Sequence, residues 1–116
     1  MANILLVDDE AMILEIASEF LKEEGHEVMT AGNGLEALTL IDEQGKPDLV
    51  VTDGMMPLMT GPQLAQNLDE RGIEYVYFTG NSIQYLTESA KRHIPREQYV
   101  KKPDFRKVIE IANQYK

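Results

Sequence analysis

Four short groups of residues carry most of the chemistry open to this chain. Asp8-Asp9-Glu10 follows the apolar run Ile4-Leu5-Leu6-Val7, and Asp53 follows Leu49-Val50-Val51-Thr52. Thr79 follows Tyr75-Val76-Tyr77-Phe78, and Lys101-Lys102-Pro103 follows Gln98-Tyr99-Val100. Each group stands just past a run rich in the apolar, β-branched or aromatic residues that make strands. If the runs ending at Val7 and Thr52 are neighbours, Asp8, Asp9 and Asp53 meet in one crevice. Carboxylates that close cannot all ionise without a compensating cation. A hard dication with oxygen ligands, Mg²⁺ or Mn²⁺, is the natural partner. Magnesium typically takes one or two carboxylates plus phosphate oxygens, so the crevice suits a phosphate group. Lys102 supplies a point charge for a phosphoryl oxygen and Thr79 a hydroxyl donor. The chain has no cysteine, and no histidine or serine is placed here. A carboxylate is therefore the available nucleophile, and its attack on phosphorus gives an acyl phosphate.

The elements that must position these groups alternate along the chain. Strands are expected at Ile4–Val7, Val28–Ala31, Leu49–Thr52, Tyr75–Phe78 and Gln98–Val100. The first helix places Ile13, Ile16, Ala17, Phe20 and Leu21 on one stripe and stops at Gly25. Asn33 caps the second, with Glu36 three residues on, and Leu35, Ala37, Leu38 and Ile41 are its expected core. Thr60-Gly61-Pro62 opens the third, with Leu64, Ala65 and Leu68 inward. Ser82 caps a fourth helix running to about Arg92. Asp104 caps a fifth that buries Phe105, Val108, Ile109 and Ala112. Five strand–helix units predict a parallel sheet covered by helices on both faces, with its site outside the carboxyl ends of the strands.

Composition bounds the rest. A chain of 116 residues, 43% apolar and 27% charged, fits one domain without a further output domain. No apolar run approaches the roughly 20 residues of a membrane span, and the N-terminus lacks the length of a secretory signal. A cytoplasmic protein is expected. The net charge of −9 repels DNA, RNA and anionic lipid, so neither nucleic acid nor membrane is an expected partner. His26 and His93 have no catalytic neighbours in the pattern and read as surface residues.

Taken together and in this order, these groups resemble the receiver domain of two-component response regulators. The resemblance runs from Asn3 to Tyr115. It rests on Leu5-Leu6-Val7-Asp8-Asp9-Glu10, on Pro47-Asp48-Leu49-Val50-Val51-Thr52-Asp53-Gly54-Met55-Met56-Pro57, on Gly61, on Phe78-Thr79-Gly80 and on Tyr99-Val100-Lys101-Lys102-Pro103. It implies a flavodoxin-like, doubly wound five-stranded α/β fold of strand order 2-1-3-4-5. It implies that Asp53 is the phosphoacceptor. Asp9, Asp53 and the main-chain carbonyl of Met55 would ligate Mg²⁺, with Asp8 holding the ion through water. Lys102 would bind the phosphoryl group, Thr79 would move to hydrogen-bond it, and Tyr99 would follow into the space Thr79 leaves. A histidine kinase or histidine phosphotransfer protein would be the donor, with Met12 and Leu14 near its docking surface. A protein target would read the face of the fourth helix, fifth strand and fifth helix. The Lys102-Pro103 peptide would be cis. The protein would catalyse only its own phosphorylation and dephosphorylation.

The chain departs from the commonest pattern of that family at Gly54, Thr60, Gly80 and Asp104. Gly54 and Gly80 would open the phosphoryl site to water, and Met55 and Asn81 flank it. Other readings compete. A scaffold on the same fold could bind partners without phosphorylation. A haloacid-dehalogenase-type phosphatase would want an Asp two residues after the nucleophile, where Met55 stands. A flavin carrier would want Ser, Thr or Gly in place of Asp8-Asp9-Glu10.

Overall fold

The computed structural model describes residues 1–115. Five strands, β1 (Asn3–Val7), β2 (Glu27–Ala31), β3 (Leu49–Thr52), β4 (Tyr75–Thr79) and β5 (Tyr99–Lys101), form one sheet. Its order is β2-β1-β3-β4-β5 and every pairing is parallel, as the strand–helix alternation and the family resemblance implied. The helices are α1 (Ala11–Glu23), α2 (Gly34–Gln44), α3 (Gly61–Glu70), α4 (Ile83–Ala90) and α5 (Phe105–Asn113).

The central strands are apolar over most of their length because both of their faces are buried there. Leu5, Val7, Val50, Tyr75 and Tyr77 point into a core closed by Ala37 and Ile41 of α2, Leu64, Ala65 and Leu68 of α3, and Leu86 of α4. The alternate residues Ile4, Leu6, Leu49, Val51, Val76 and Phe78 point into a second core closed by Ala17 and Leu21 of α1 and Val108 and Ala112 of α5. The parallel register Val7↔Thr52 brings the ends of β1 and β3 level, so Asp8 and Asp53 emerge side by side.

The expected caps form. Asn33, Ser82 and Asp104 accept from the amides of Glu36, Tyr85 and Lys107. Thr60 and Gln63 make a reciprocal capping box. Helix α4 ends earlier than expected, at Ala90, because Lys91 turns left-handed (φ 57°), and exposed His93 lies beyond it. Gln98 falls in a 3₁₀ turn before β5. Two helix faces differ from the apolar pattern. Leu35 is 50% exposed, and Leu40 packs on the core in its place. Phe20 is 41% exposed, although its ring touches Phe105 at a centroid distance of 5.7 Å.

His26 is not a surface residue. It is 4% exposed. Its Nδ1 accepts from the Ala2 amide at 3.1 Å, which assigns the proton to Nε2, 2.9 Å from Asn113 Oδ1. Asn113 in turn donates to Glu24 Oε1 at 2.9 Å. The imidazole thus ties the start of β1 and the α1–β2 turn to the end of α5. Its partners lie 24 and 87 positions away in sequence, which is why the turn alone suggested exposure. His26→Ala leaves the Ala2 amide without its partner and opens a small void. It is expected to lower the unfolding free energy by roughly 2 kcal/mol in urea titration. An unchanged midpoint would mean the tie carries no load.

Candidate functional site

The site stands where the chain leaves β1, β3, β4 and β5. Each main chain is pinned before its side chain is presented. The Asp8 amide donates to Ala31 O (3.1 Å), the Asp53 amide to Val7 O (2.9 Å) and the Lys102 amide to Thr79 O (2.8 Å). Asp8 and Asp53 are 3% and 7% exposed. Asp8 Oδ1 accepts from the Glu10 amide at 2.9 Å, and Asp53 Oδ1 from the Gly54 amide at 2.7 Å. Lys102 Nζ lies among three carboxylates, 2.8 Å from Asp8 Oδ2, 2.9 Å from Glu10 Oε1 and 3.3 Å from Asp53 Oδ2. The Lys102-Pro103 peptide is cis, as the resemblance implied.

One ammonium against three carboxylates leaves the crevice with excess negative charge. Burial pushes the Asp8 carboxyl above its ordinary value. The hydrogen bonds from Lys102 and the Glu10 amide pull it down without cancelling that rise, and the charge of Asp53 adds to it. For Lys102, burial alone would lower the ammonium's pKa. The hydrogen bonds to Asp8 and Glu10 and the charges of Asp53 and Asp8 outweigh burial and raise it.

Among the described residues, Asp8, Glu10 and Asp53 each bring one carboxylate oxygen within 4.8 Å of the others. An all-oxygen set of this kind fits Mg²⁺ or Mn²⁺. Asp9 is exposed and lies outside this set. Glu10 joins the cluster although the residue pattern assigns it no role; the signal for it is its place as the third acid of the Asp8-Asp9-Glu10 run.

Thr79 is fully buried beside the crevice, but its hydroxyl is turned to Asn81. Tyr99 is half-buried, and its hydroxyl donates to the Asn81 carbonyl at 2.6 Å. Met55 is half-buried in the β3–α3 loop, Met56 belongs to the core, and Met59 packs on Gly34 of α2. Gly61 closes this loop by donating to Gly54 O at 2.7 Å. A Cβ there would strike the backbone of Asp53 and Gly54.

Gly54 does not open the site to water. It is buried, and a Cβ on it would come within 2.5 Å of Leu86 Cδ2. A leucine from α4 fills the space that a larger residue would take. Gly80 is exposed with nothing within 4 Å of its would-be Cβ, so a side chain there would meet open space.

Known proteins with this sequence pattern and fold agree with one another. The family model described as "response regulator receiver domain" matches residues 4–113. The response regulator SaeR of Staphylococcus aureus (strain USA300) is 30% identical over 105 residues, which cover 89% of this chain and 45% of SaeR. The chain thus spans about half the length of that relative. A response regulator receiver domain protein from Clostridium thermocellum superposes with a TM-score of 0.82 at 26% identity, covering 99% of this chain and 94% of that one. The response regulator TrrA of Thermotoga maritima, solved in complex with Mg²⁺ and BeF, superposes with a TM-score of 0.79 at 32% identity over 100% of both chains. With the family model, the strand order and the acidic crevice in agreement, this chain belongs to the response regulator receiver domains of two-component signalling.

Proposed function

We propose that this receiver is a phosphorylation switch whose phosphoacceptor is Asp53 and whose chemistry depends on Mg²⁺. One observation carries the proposal: Asp53 is buried with Asp8 beside it and the Lys102 ammonium 3.3 Å from its Oδ2. Asp53 and the Met55 carbonyl would hold the ion directly, with Asp8 through water. Asp9, exposed and outside the cluster in this structure, would turn in to complete the set, and Glu10 completes the acidic wall. The bound ion would neutralise charge on the transferring group. An Asp53 carboxylate oxygen forms a bond to phosphorus while the bond from phosphorus to the donor's imidazole nitrogen breaks, and the imidazole leaves. Lys102 holds a phosphoryl oxygen by charge, and Thr79 donates to another. Tyr99 answers Thr79, which would alter the face of α4, β5 and α5.

The donor would be a histidine kinase or histidine phosphotransfer protein, and the reader a protein that binds that face. The protein would act in the cytoplasm and turn over nothing but its own phosphoryl group. Among the described residues, no helix is long and apolar enough to cross a membrane. Acetyl phosphate tests the reading without knowledge of the donor. Intact mass is expected to show one added phosphoryl group per chain with Mg²⁺ and none after chelation. Failure to gain it with Mg²⁺, joined to failure to bind beryllofluoride, would favour a scaffold that works unphosphorylated.

A further inference from the structure

The β4–α4 loop holds hydrogen bonds that phosphoryl transfer itself does not use. The Thr79 hydroxyl donates to Asn81 Oδ1 at 2.9 Å and accepts from the Asn81 amide at 3.2 Å. The Tyr99 hydroxyl, from β5, donates to the carbonyl of the same residue at 2.6 Å. Thr79 is fully buried, while Asn81 and Tyr99 are half-buried. The pair stands against the residue that follows Asp53: a Cβ on Gly54 would lie 3.2 Å from Thr79 Oγ1 and 3.5 Å from Asn81 Oδ1.

A threonine hydroxyl has a single proton to donate. In this structure Asn81 Oδ1 holds it. A phosphoryl oxygen on Asp53 would need the same proton, so the two bonds exclude each other. We propose that Asn81 is the latch of the switch. Its side chain keeps the Thr79 proton away from Asp53, and phosphorylation must withdraw that proton before Thr79 can turn. Because the Tyr99 hydroxyl rests on the Asn81 carbonyl, the residue that releases Thr79 also carries the anchor of Tyr99. This assignment rests on Asp53 being the phosphoacceptor. Asn81 acts through Thr79 and is a positioning residue. Once Thr79 turns, Asn81 Oδ1 is left with access to water, so the latch weakens phosphoryl binding by the net value of one neutral hydrogen bond, about three- to tenfold.

The test uses beryllofluoride with Mg²⁺ as the phosphoryl stand-in, titrated into the full chain and followed through the backbone amides of Gly80 and Asn81 by NMR. Asn81→Ala and Asn81→Leu, which remove the acceptor at two different sizes, are both expected to bind about three- to tenfold more tightly than wild type. In a Thr79→Val background, where no proton exists to hold, neither replacement is expected to change the affinity. Equal or weaker binding by the Asn81 variants would overturn the latch, as would a gain confined to one of them. A gain that survives Thr79→Val would mean that Asn81 opposes phosphoryl binding without acting through Thr79, and would overturn the latch equally. If wild type takes no beryllofluoride, the Asp53 reading falls and the latch falls with it; if wild type binds, only the latch is at stake.

Discussion

Replacing Lys102 by alanine is expected to lower the stability of the metal-free protein at pH 7 by about 3 kcal/mol, near the lower end of what breaking a buried ion pair costs. The Lys102 side chain is 12% exposed, and those of Asp8 and Asp53 are 4% and 9% exposed. Without the ammonium, two buried carboxylates face each other with no cation between them. Glu10, 61% exposed, can turn to solvent and relieves only its own share. For a domain of this size the loss corresponds to a fall in Tm of roughly 10 °C.

The pH dependence separates this account from simple loss of packing. The Lys102 ammonium has its pKa raised, so its contribution is fully present below the ordinary lysine value of about 10.4 and disappears as pH climbs through the raised folded value. The wild type is therefore expected to lose stability at strongly alkaline pH in a way Lys102→Ala does not. The Asp8 carboxyl is also raised, which favours its protonated form in the folded state. That contribution is full below the ordinary aspartate value of about 3.9 and is lost as pH rises through the folded value, so ionised Asp8 is a cost at neutral pH. The deficit of Lys102→Ala should therefore shrink as the protein is acidified, and Asp8→Asn added to Lys102→Ala should recover part of it. Urea unfolding of the variants at neutral and mildly acidic pH measures both effects. A deficit below about 1 kcal/mol, unchanged with pH, would show that Lys102 is an ordinary surface lysine.

How far the sequence carries can be judged from the same residues. Asp8, Asp53, Thr79 and Lys102 were legible because each follows an apolar run, and parallel strands deliver such residues to one edge. The register Val7↔Thr52 makes that inference geometrical. Caps were legible for a related reason: Asn33, Ser82 and Asp104 act within three residues of their partners. Relations across the chain were not. His26 is buried by partners at the chain's two ends, and Leu86 reaches Gly54 from another element. Neither contact leaves a trace in local periodicity. Leu35 failed differently. It follows the cap of α2 and is apolar, yet the helix face that meets the core passes through Ala37, Leu40 and Ile41. Apolar character licenses burial without enforcing it.

The second large effect concerns the nucleophile, and it tests whether the crevice does chemistry or only stores charge. Asp53→Asn keeps an oxygen able to accept from the Gly54 amide, as Asp53 Oδ1 does at 2.7 Å, so the loop geometry should survive. It replaces the attacking carboxylate with an amide, which cannot form the acyl phosphate. Phosphoryl uptake from acetyl phosphate with Mg²⁺ is expected to fall at least about a thousandfold, below detection by intact mass, as when a nucleophile is removed from a working site. The group taken up by wild type should be released by hydroxylamine, which cleaves acyl phosphates and leaves serine or threonine phosphates in place. Folding and phosphorylation separate cleanly here. Lys102 retains Asp8 at 2.8 Å and Glu10 at 2.9 Å, so the variant still holds its cation and should unfold near the wild-type midpoint. A folded Asp53→Asn that still gains a hydroxylamine-labile phosphoryl group at the wild-type rate would move the nucleophile to another carboxylate of the crevice. Asp8 would be the first candidate, being as buried as Asp53 and held by the same ammonium. Loss of uptake with the fold intact would instead assign the phosphoryl bond to the one carboxylate that β3 carries to the centre of the site.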